Sequence, residues 1–191
     1  MMKVGFICEG DTEKELLTAA SFTNYLTTLN IECVNVINAS GADNLLPHNI
    51  QSYYSILEQQ GVEKIIILTD LDNNVCITVT KQRIGAKTGD IIIIAVRQIE
   101  SWFLADTETL RKVLNNPDYF TEFPEEENLP FEKINQLAVQ FTNRGFGIKK
   151  MRGPKKKLAR KMIENGFSFQ NAAAHPNCPS AAYFINKLSS L

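Results

Sequence analysis

Lys64-Ile65-Ile66-Ile67-Leu68-Thr69-Asp70-Leu71-Asp72 decides the fold: a β-branched apolar run that ends directly on two carboxylates. Its counterpart near the start of the chain, Lys3-Val4-Gly5-Phe6-Ile7-Cys8, runs into Glu9-Gly10 in the same way. Short apolar runs bounded by Gly and polar residues read as fully buried parallel strands. In open α/β sheets, ligands occupy the crevice beyond the carboxyl ends of such strands. Asp70 and Asp72 are two apart, so their side chains point the same way while the chain stays extended. With Glu9 on a neighbouring strand, the three acids would offer oxygen donors suited to a hard divalent cation such as Mg²⁺.

Working outward, strand and helix signals alternate. Thr12-Glu13-Lys14-Glu15 has the form of a capping box, and Leu16, Ala20, Leu26 and Leu29 continue it as a helical stripe. Ile31 to Ile37 reads as a second strand and Ala39 to Asp43 as a loop. Asn44 to Gln60 reads as a helix that tolerates Pro47 only near its first turn and is stopped by Gly61. Asn73 to Lys87 is β-rich at Val75 to Thr80, yet a crossover between parallel strands favours a helix, which is the expectation adopted. Asp90 to Val96 is a fourth strand. Helices are then expected over Ile99 to Ala105, Thr107 to Leu114 and Phe131 to Phe141, with a last one opening at Pro179 or Ser180. This order predicts an α/β three-layer sandwich with a mostly parallel, Rossmann-like sheet of four strands. Residues 1–106 would form the α/β core and 107–191 a helical C-terminal elaboration packed on it, together one compact domain.

Hydrophobic residues make up 44% of the 191 and charged ones 21%, which places the chain among ordinary globular proteins rather than disordered or membrane-spanning ones. Cys8, Cys33, Cys76 and Cys178 form no C-x-x-C pair, and only His48 and His175 could join them. Neither a zinc site nor a disulfide framework is supported, and a reduced, cytoplasmic compartment is expected. No run approaches the roughly 18 apolar residues of a membrane span, and the first residues do not read as a signal peptide.

Taken together, Glu9-Gly-x-Thr-Glu13 and Asp70-x-Asp72 resemble the Toprim fold shared by topoisomerases, bacterial primases, recombination-mediator proteins and overcoming-lysogenisation-defect nucleases. With Arg97-Gln-Ile-Glu100-Ser-Trp102-Phe-Leu104-Ala-Asp106 and Cys178-Pro-Ser added, nearly the whole chain is similar to the bacterial family called domain of unknown function 4276. The Toprim resemblance implies that Glu9 does general acid/base work and that Asp70 and Asp72 hold Mg²⁺ (or Mn²⁺), with Glu9 completing the metal set. Gly10 would let backbone approach a phosphate, and Thr12 would begin a helix whose N–H groups face an anion. Several Toprim proteins carry a further acid after the Asp-x-Asp, where this chain has Asn73 and Asn74.

Two further groups are candidates. Glu100 lies four residues beyond Val96, within reach of the same sheet edge; it reads as a catalytic or metal-binding acid, as a brace for Arg97, or as a helix N-terminal glutamate. Arg97 offers a planar donor suited to phosphate. Between Arg144 and Lys161, nine basic residues and no acid occupy eighteen positions, although the whole chain carries a net charge of -1. Lys149, Lys150, Lys155 and Lys156 in this run are candidate contacts to a nucleic-acid backbone. The plainer reading is a helix with solvated lysines and buried Leu158, Met162 and Ile163.

The expected function is a Mg²⁺-dependent phosphodiesterase or nuclease acting on nucleic acid. Its catalytic set would be Glu9, Asp70, Asp72 and Glu100, and the resemblance places it in bacterial defence or a mobile element. Two alternatives stand beside it. One is a non-catalytic Toprim-like module that binds nucleic acid or a partner protein such as an ATPase. The other is a haloacid-dehalogenase-type phosphatase, in which Asp70 would be the nucleophile and Asp72 the acid/base.

Overall fold

A computed structural model of the chain describes residues 1–148 and 153–191. Four strands, β1 (Met2–Cys8), β2 (Ile31–Asn38), β3 (Lys64–Asp70) and β4 (Ile91–Ala95), form one parallel sheet in the order β2-β1-β3-β4. Helices cover both faces, giving the expected three-layer α/β sandwich. The two central strands carry the acids: Cys8 pairs with Leu68, and Asp70 pairs with Ala95. Glu9 therefore leaves β1 beside the last residues of β3.

Strand alternation sorts the apolar residues into two cores. Val4, Phe6, Cys8, Ile66 and Leu68 face one layer, and Ile7, Ile65 and Ile67 the other. The second, smaller core is closed by helix α3 (Gln51–Gln59) through Tyr54 and Leu57. Gly5 permits that close approach, since a Cβ there would lie 2.8 Å from Leu57 Cδ2. The larger core gathers α1 (Asp11–Leu17), α2 (Ala20–Thr28), α5 (Glu100–Ala105), α6 (Thr107–Leu114), α7 (Pro130–Thr142), α8 (Pro154–Glu164), α9 (Phe169–Ala173) and α10 (Pro179–Ser189). Its centre is aromatic: Trp102 stacks on Phe184 at 5.7 Å between ring centroids, and Phe169 meets Phe22, Trp102 and Phe184 edge-on. One apolar cluster thus runs from the sheet into the C-terminal helices.

Several local expectations change. The helix expected from Asn44 begins only at Gln51. A 3₁₀ turn over Ala42–Leu45 ends at Leu46, which is pushed extended (ψ 156°) because Pro47 follows. The stripe after Glu9 is two helices, because Ala19 turns extended between them. The capping box does not form: Gly10 occupies the cap position with no side-chain bond, and Glu15 turns to other partners. Only α4 (Ile77–Arg83) is helical in the β3–β4 crossover, with Val75, Ile77 and Val79 on the surface. Asp106 caps α6 by accepting from the Thr109 N–H at 3.1 Å, as its sequence position suggests. Among the described residues, no helix is long and apolar enough to cross a membrane.

Candidate metal and phosphate site

At the carboxyl edge of the sheet, Glu9 is clamped over the end of β3. Its Oε2 accepts from the Asp70 N–H at 3.2 Å and from the Thr69 hydroxyl. The partner of Glu9 is thus the neighbouring strand, not the helix that follows it. Asp70 is nearly buried, and its Oδ1 accepts from the Ile99 N–H at 2.8 Å, which joins it to the start of α5. From α5 comes Glu100, with no exposed surface; its Oε2 accepts from Lys155 Nζ at 3.0 Å. From α1 comes Glu13, only 4% exposed. Four elements therefore deliver Glu9, Glu13, Asp70 and Glu100 to one region. Glu9, Glu13, Asp70 and Lys155 line a cleft of about 420 Å³.

The electrostatics follow from crowding in a dry place. Burial raises the Asp70 carboxyl well above the ordinary carboxylate range, and the charges of Glu13, Glu100 and Glu9 add to it while Lys155 opposes. Burial likewise pushes Glu13 up to about 7; its own backbone N–H pulls back in part, and Glu100 and Glu9 add to the rise. For Lys155, burial alone would lower the ammonium, but Glu100 and Asp70 outweigh it and raise its proton affinity.

Glu13 is the member of this group that sequence reasoning missed. Within Thr12-Glu13-Lys14-Glu15 it reads as part of a helix cap, whereas its place in Glu9-Gly-x-Thr-Glu13 is the signal that points to the site. Gly10 is extended (φ -145°) and turns nothing; what it provides is room, since a Cβ would lie 3.1 Å from Glu13 Oε2. Thr12 is buried and also lines the cleft. Glu100 engages Lys155 and does not brace Arg97.

Asp72 parts from Glu9 and Asp70. Extended backbone ends after Leu71, whose N–H reaches the Ala95 carbonyl at 2.9 Å, and Asp72 is left-handed (φ 49°). The alternation that would have aligned the two aspartates is broken there. The Asp72 Oδ1 instead accepts from the Gln98 side-chain amide at 2.8 Å. Its carboxylate lines a second cleft of about 540 Å³, together with Asn73, Asn74, Arg97, Gln98 and Asn128.

The basic run is largely committed within the fold. Lys155 serves Glu100, while Lys156 and Arg160 both pair with Glu15 of α1 at 3.0 Å, and Leu158, Ala159 and Met162 are buried beneath them. The plainer helix-face reading describes this part, with Lys155 as the exception that turns inward. Lys149 and Lys150 lie outside the described residues.

Mg²⁺ or Mn²⁺ is the cofactor the Toprim resemblance implies, and the acid cluster can be tested for it. All donors are hard oxygens, and Glu100 Oε1 is buried without a hydrogen-bond partner among the described residues, which leaves one coordination-competent atom open. Among the described residues, no three His, Cys, Asp or Glu side chains converge as a ready ligand set, and the Lys155 ammonium stands on the cluster instead. The donor chemistry fits a hard divalent cation; the ligands are held apart around a lysine.

No protein-family model matches the chain, and no curated protein does. Among solved structures, the chain is similar to the C-terminal region of the Burkholderia pseudomallei OLD protein, with 15% identity and a TM-score of 0.48 over 99% of both chains.

Proposed function

We propose that the chain is a divalent-cation-dependent phosphodiesterase acting on nucleic acid, a Toprim-like nuclease of the family called domain of unknown function 4276, serving bacterial defence or a mobile element. The observation that carries this reading is the delivery of Glu9, Glu13, Asp70 and Glu100 from four separate elements to the carboxyl edge of a parallel sheet. Burying three of them, Glu13, Asp70 and Glu100, costs folding free energy that a bound cation would offset. Glu9, Asp70, Glu13 and Glu100 would hold Mg²⁺ or Mn²⁺, which when bound offsets charge on the phosphoryl oxygens and lowers the proton affinity of water. Glu9 is fixed by the Thr69 hydroxyl and the Asp70 N–H, so its geometry is set before any ligand arrives. Without a cation Glu13 holds a proton up to about pH 7, so cation binding would release that proton. Lys155 and Lys156 also line this cleft, each already paired with a carboxylate, so a phosphate there would rely on the cation rather than on them.

The test is a crystal soaked with Mn²⁺, read by anomalous scattering, with cleavage of plasmid and single-stranded substrates followed in parallel. Density among these acids together with metal-dependent cleavage supports the reading. An empty cluster at high Mn²⁺ with Lys155 still on Glu100 rejects it. That lysine is also the observation favouring a second reading, a non-catalytic module that binds nucleic acid or a partner protein and in which Lys155 neutralises the cluster permanently. The phosphatase reading is disfavoured, because Asp72, its required acid/base, is turned to Gln98 in the other cleft.

A further inference from the structure

We propose that the cleft holding Asp72 and Arg97 is a second binding site, which takes a phosphate of the nucleic-acid strand away from the acid cluster, with Arg97 as its anchor. This rests on the proposed nucleic-acid reading and adds to it a subsite on the opposite side of the β3 tip.

The first observation is where the chain tolerates left-handed backbone without glycine. Six such residues occur among those described: Asn30, Ser40, Asp72, Arg97, Asn115 and Asn143. Three are asparagine, the residue best suited to that conformation after glycine, and Asn115 and Asn143 simply end helices α6 and α7. The three that are not asparagine all line the clefts at this edge: Ser40 lines the acid cleft, and Asp72 and Arg97 line the second. Arginine gains nothing locally from a left-handed backbone. A long cation held there against its preference points to use of the side chain. The backbone is fixed by a cross-strand bond, the Asp72 N–H donating to the Arg97 carbonyl at 2.7 Å.

The second observation is charge. Lys155, Lys156 and Arg160 are each matched to a carboxylate, whereas Arg97 makes no ion pair with any described residue. The nearby Asp72 is occupied by the Gln98 amide, and Gln98 Oε1 is buried with no partner among the described residues. The cleft therefore presents a guanidinium that forms no ion pair with a described residue, beside the Asp72 carboxylate held by Gln98 and bordered by Asn73, Asn74 and Asn128. A planar fork with side-chain amides on its rim, and with the one nearby carboxylate tied to Gln98, suits a phosphate oxygen pair. The site also lies beyond the carboxyl ends of β3 and β4, where such sheets bind ligands.

The test is fluorescence anisotropy with a labelled, short single-stranded oligonucleotide in metal-free buffer, titrated across salt concentration, for the full chain and for Arg97→Asn and Arg97→Lys. Asparagine keeps the left-handed backbone and removes the charge. Arg97→Asn should weaken binding about tenfold or more and flatten the slope of log affinity against log salt by about 0.7, while melting about 2 °C higher or unchanged. Arg97→Lys should keep the slope and recover part of the affinity. If Arg97→Asn binds like wild type, loses affinity with no change of slope, or melts well below wild type, the site is overturned while the nucleic-acid reading stands. If wild type binds no oligonucleotide, both fall together.

Discussion

The two clefts flanking the tip of β3 are built in opposite ways. On one side, Asp70 is buried, bonded to the Ile99 N–H, and surrounded by Glu9, Glu13 and Glu100 with a lysine drawn in among them. On the other, two residues away, Asp72 sits on strained backbone in a polar cleft whose arginine forms no ion pair with a described residue. The first side concentrates negative charge where water is scarce, an arrangement that favours a cation or a proton. The second sets one guanidinium beside one carboxylate that a neutral amide holds, the arrangement on which the proposed anion site rests. The difference teaches that the strand stops being extended between the two members of Asp70-x-Asp72, so their carboxylates take different partners, although both residues also border a small cavity of about 50 Å³.

The largest effect that would break this division is catalytic. Asp70→Asn should abolish metal-dependent cleavage by about 10³-fold or more, because it removes a charge at the centre of the cluster. Plasmid nicking measures it. Equal losses from Asp70→Asn and Asp72→Asn would show that the two aspartates serve one site after all.

Next in size is the pH dependence of metal-free stability. The Glu13 carboxyl lies at about 7 in the fold against an ordinary 4.5. The folded chain therefore holds that proton more tightly than the unfolded chain does. Stability from this group is fully present below about 4.5 and is lost as pH rises through about 7. Glu13→Gln removes the dependence, so the variant should match wild type near the acid end and be more stable by about 1–3 kcal/mol above neutrality. Urea melts across pH test this, and a difference that does not grow with pH would mean that burial, with Glu100 and Glu9 beside it, does not raise the Glu13 carboxyl.

Smaller again is the effect of the lysine. Lys155 and a divalent cation would sit near the same acids, so Lys155→Met should tighten Mn²⁺ binding about tenfold, the scale of removing one nearby like charge in a partly screened site. Electron paramagnetic resonance of free Mn²⁺ reads this directly. Helix α8 should stay in place, since Lys156 and Arg160 still hold Glu15 and Leu158 remains buried. Unchanged or weaker binding would make Lys155 a support for the metal rather than its rival.

What was legible in the sequence follows from how local each determinant is. The sheet could be read because the Lys64–Thr69 and Lys3–Cys8 runs are apolar throughout, as strands buried on both faces must be. The nearness of Glu9 to Asp70 followed from strand order. The split of Asp70 from Asp72 was not legible, because it depends on a left-handed turn fixed by a bond to Arg97, a residue on another strand connection. Glu13 was hidden by a capping pattern of equal local merit. Lys155 was hidden among three consecutive lysines, although it shares the helical spacing of Leu158, Ala159 and Met162, the buried face of α8. Pro47 is visible in the sequence, but that it holds Leu46 extended and delays the helix to Gln51 depends on the backbone around it.

The smallest effect is the most discriminating for the strained side. Asp72→Asn keeps an oxygen that can accept from the Gln98 amide and places the residue type that best tolerates φ 49°. Two contributions oppose each other: the left-handed backbone is eased, while a charge-assisted hydrogen bond becomes a neutral one. The balance should be a gain of at most about 0.5 kcal/mol, seen as a rise in melting temperature of about 1–2 °C. Mn²⁺ affinity should not change, because the Asp72 carboxylate is tied to Gln98 and does not line the cleft of Glu9, Glu13 and Lys155. A clear stability loss would mean that the Asp72 charge itself supports the tip, through the positive field of Arg97. Loss of Mn²⁺ binding would instead mean that the Asp72 side chain swings across the tip when the cation arrives, and the two clefts would then be one site seen in its closed arrangement.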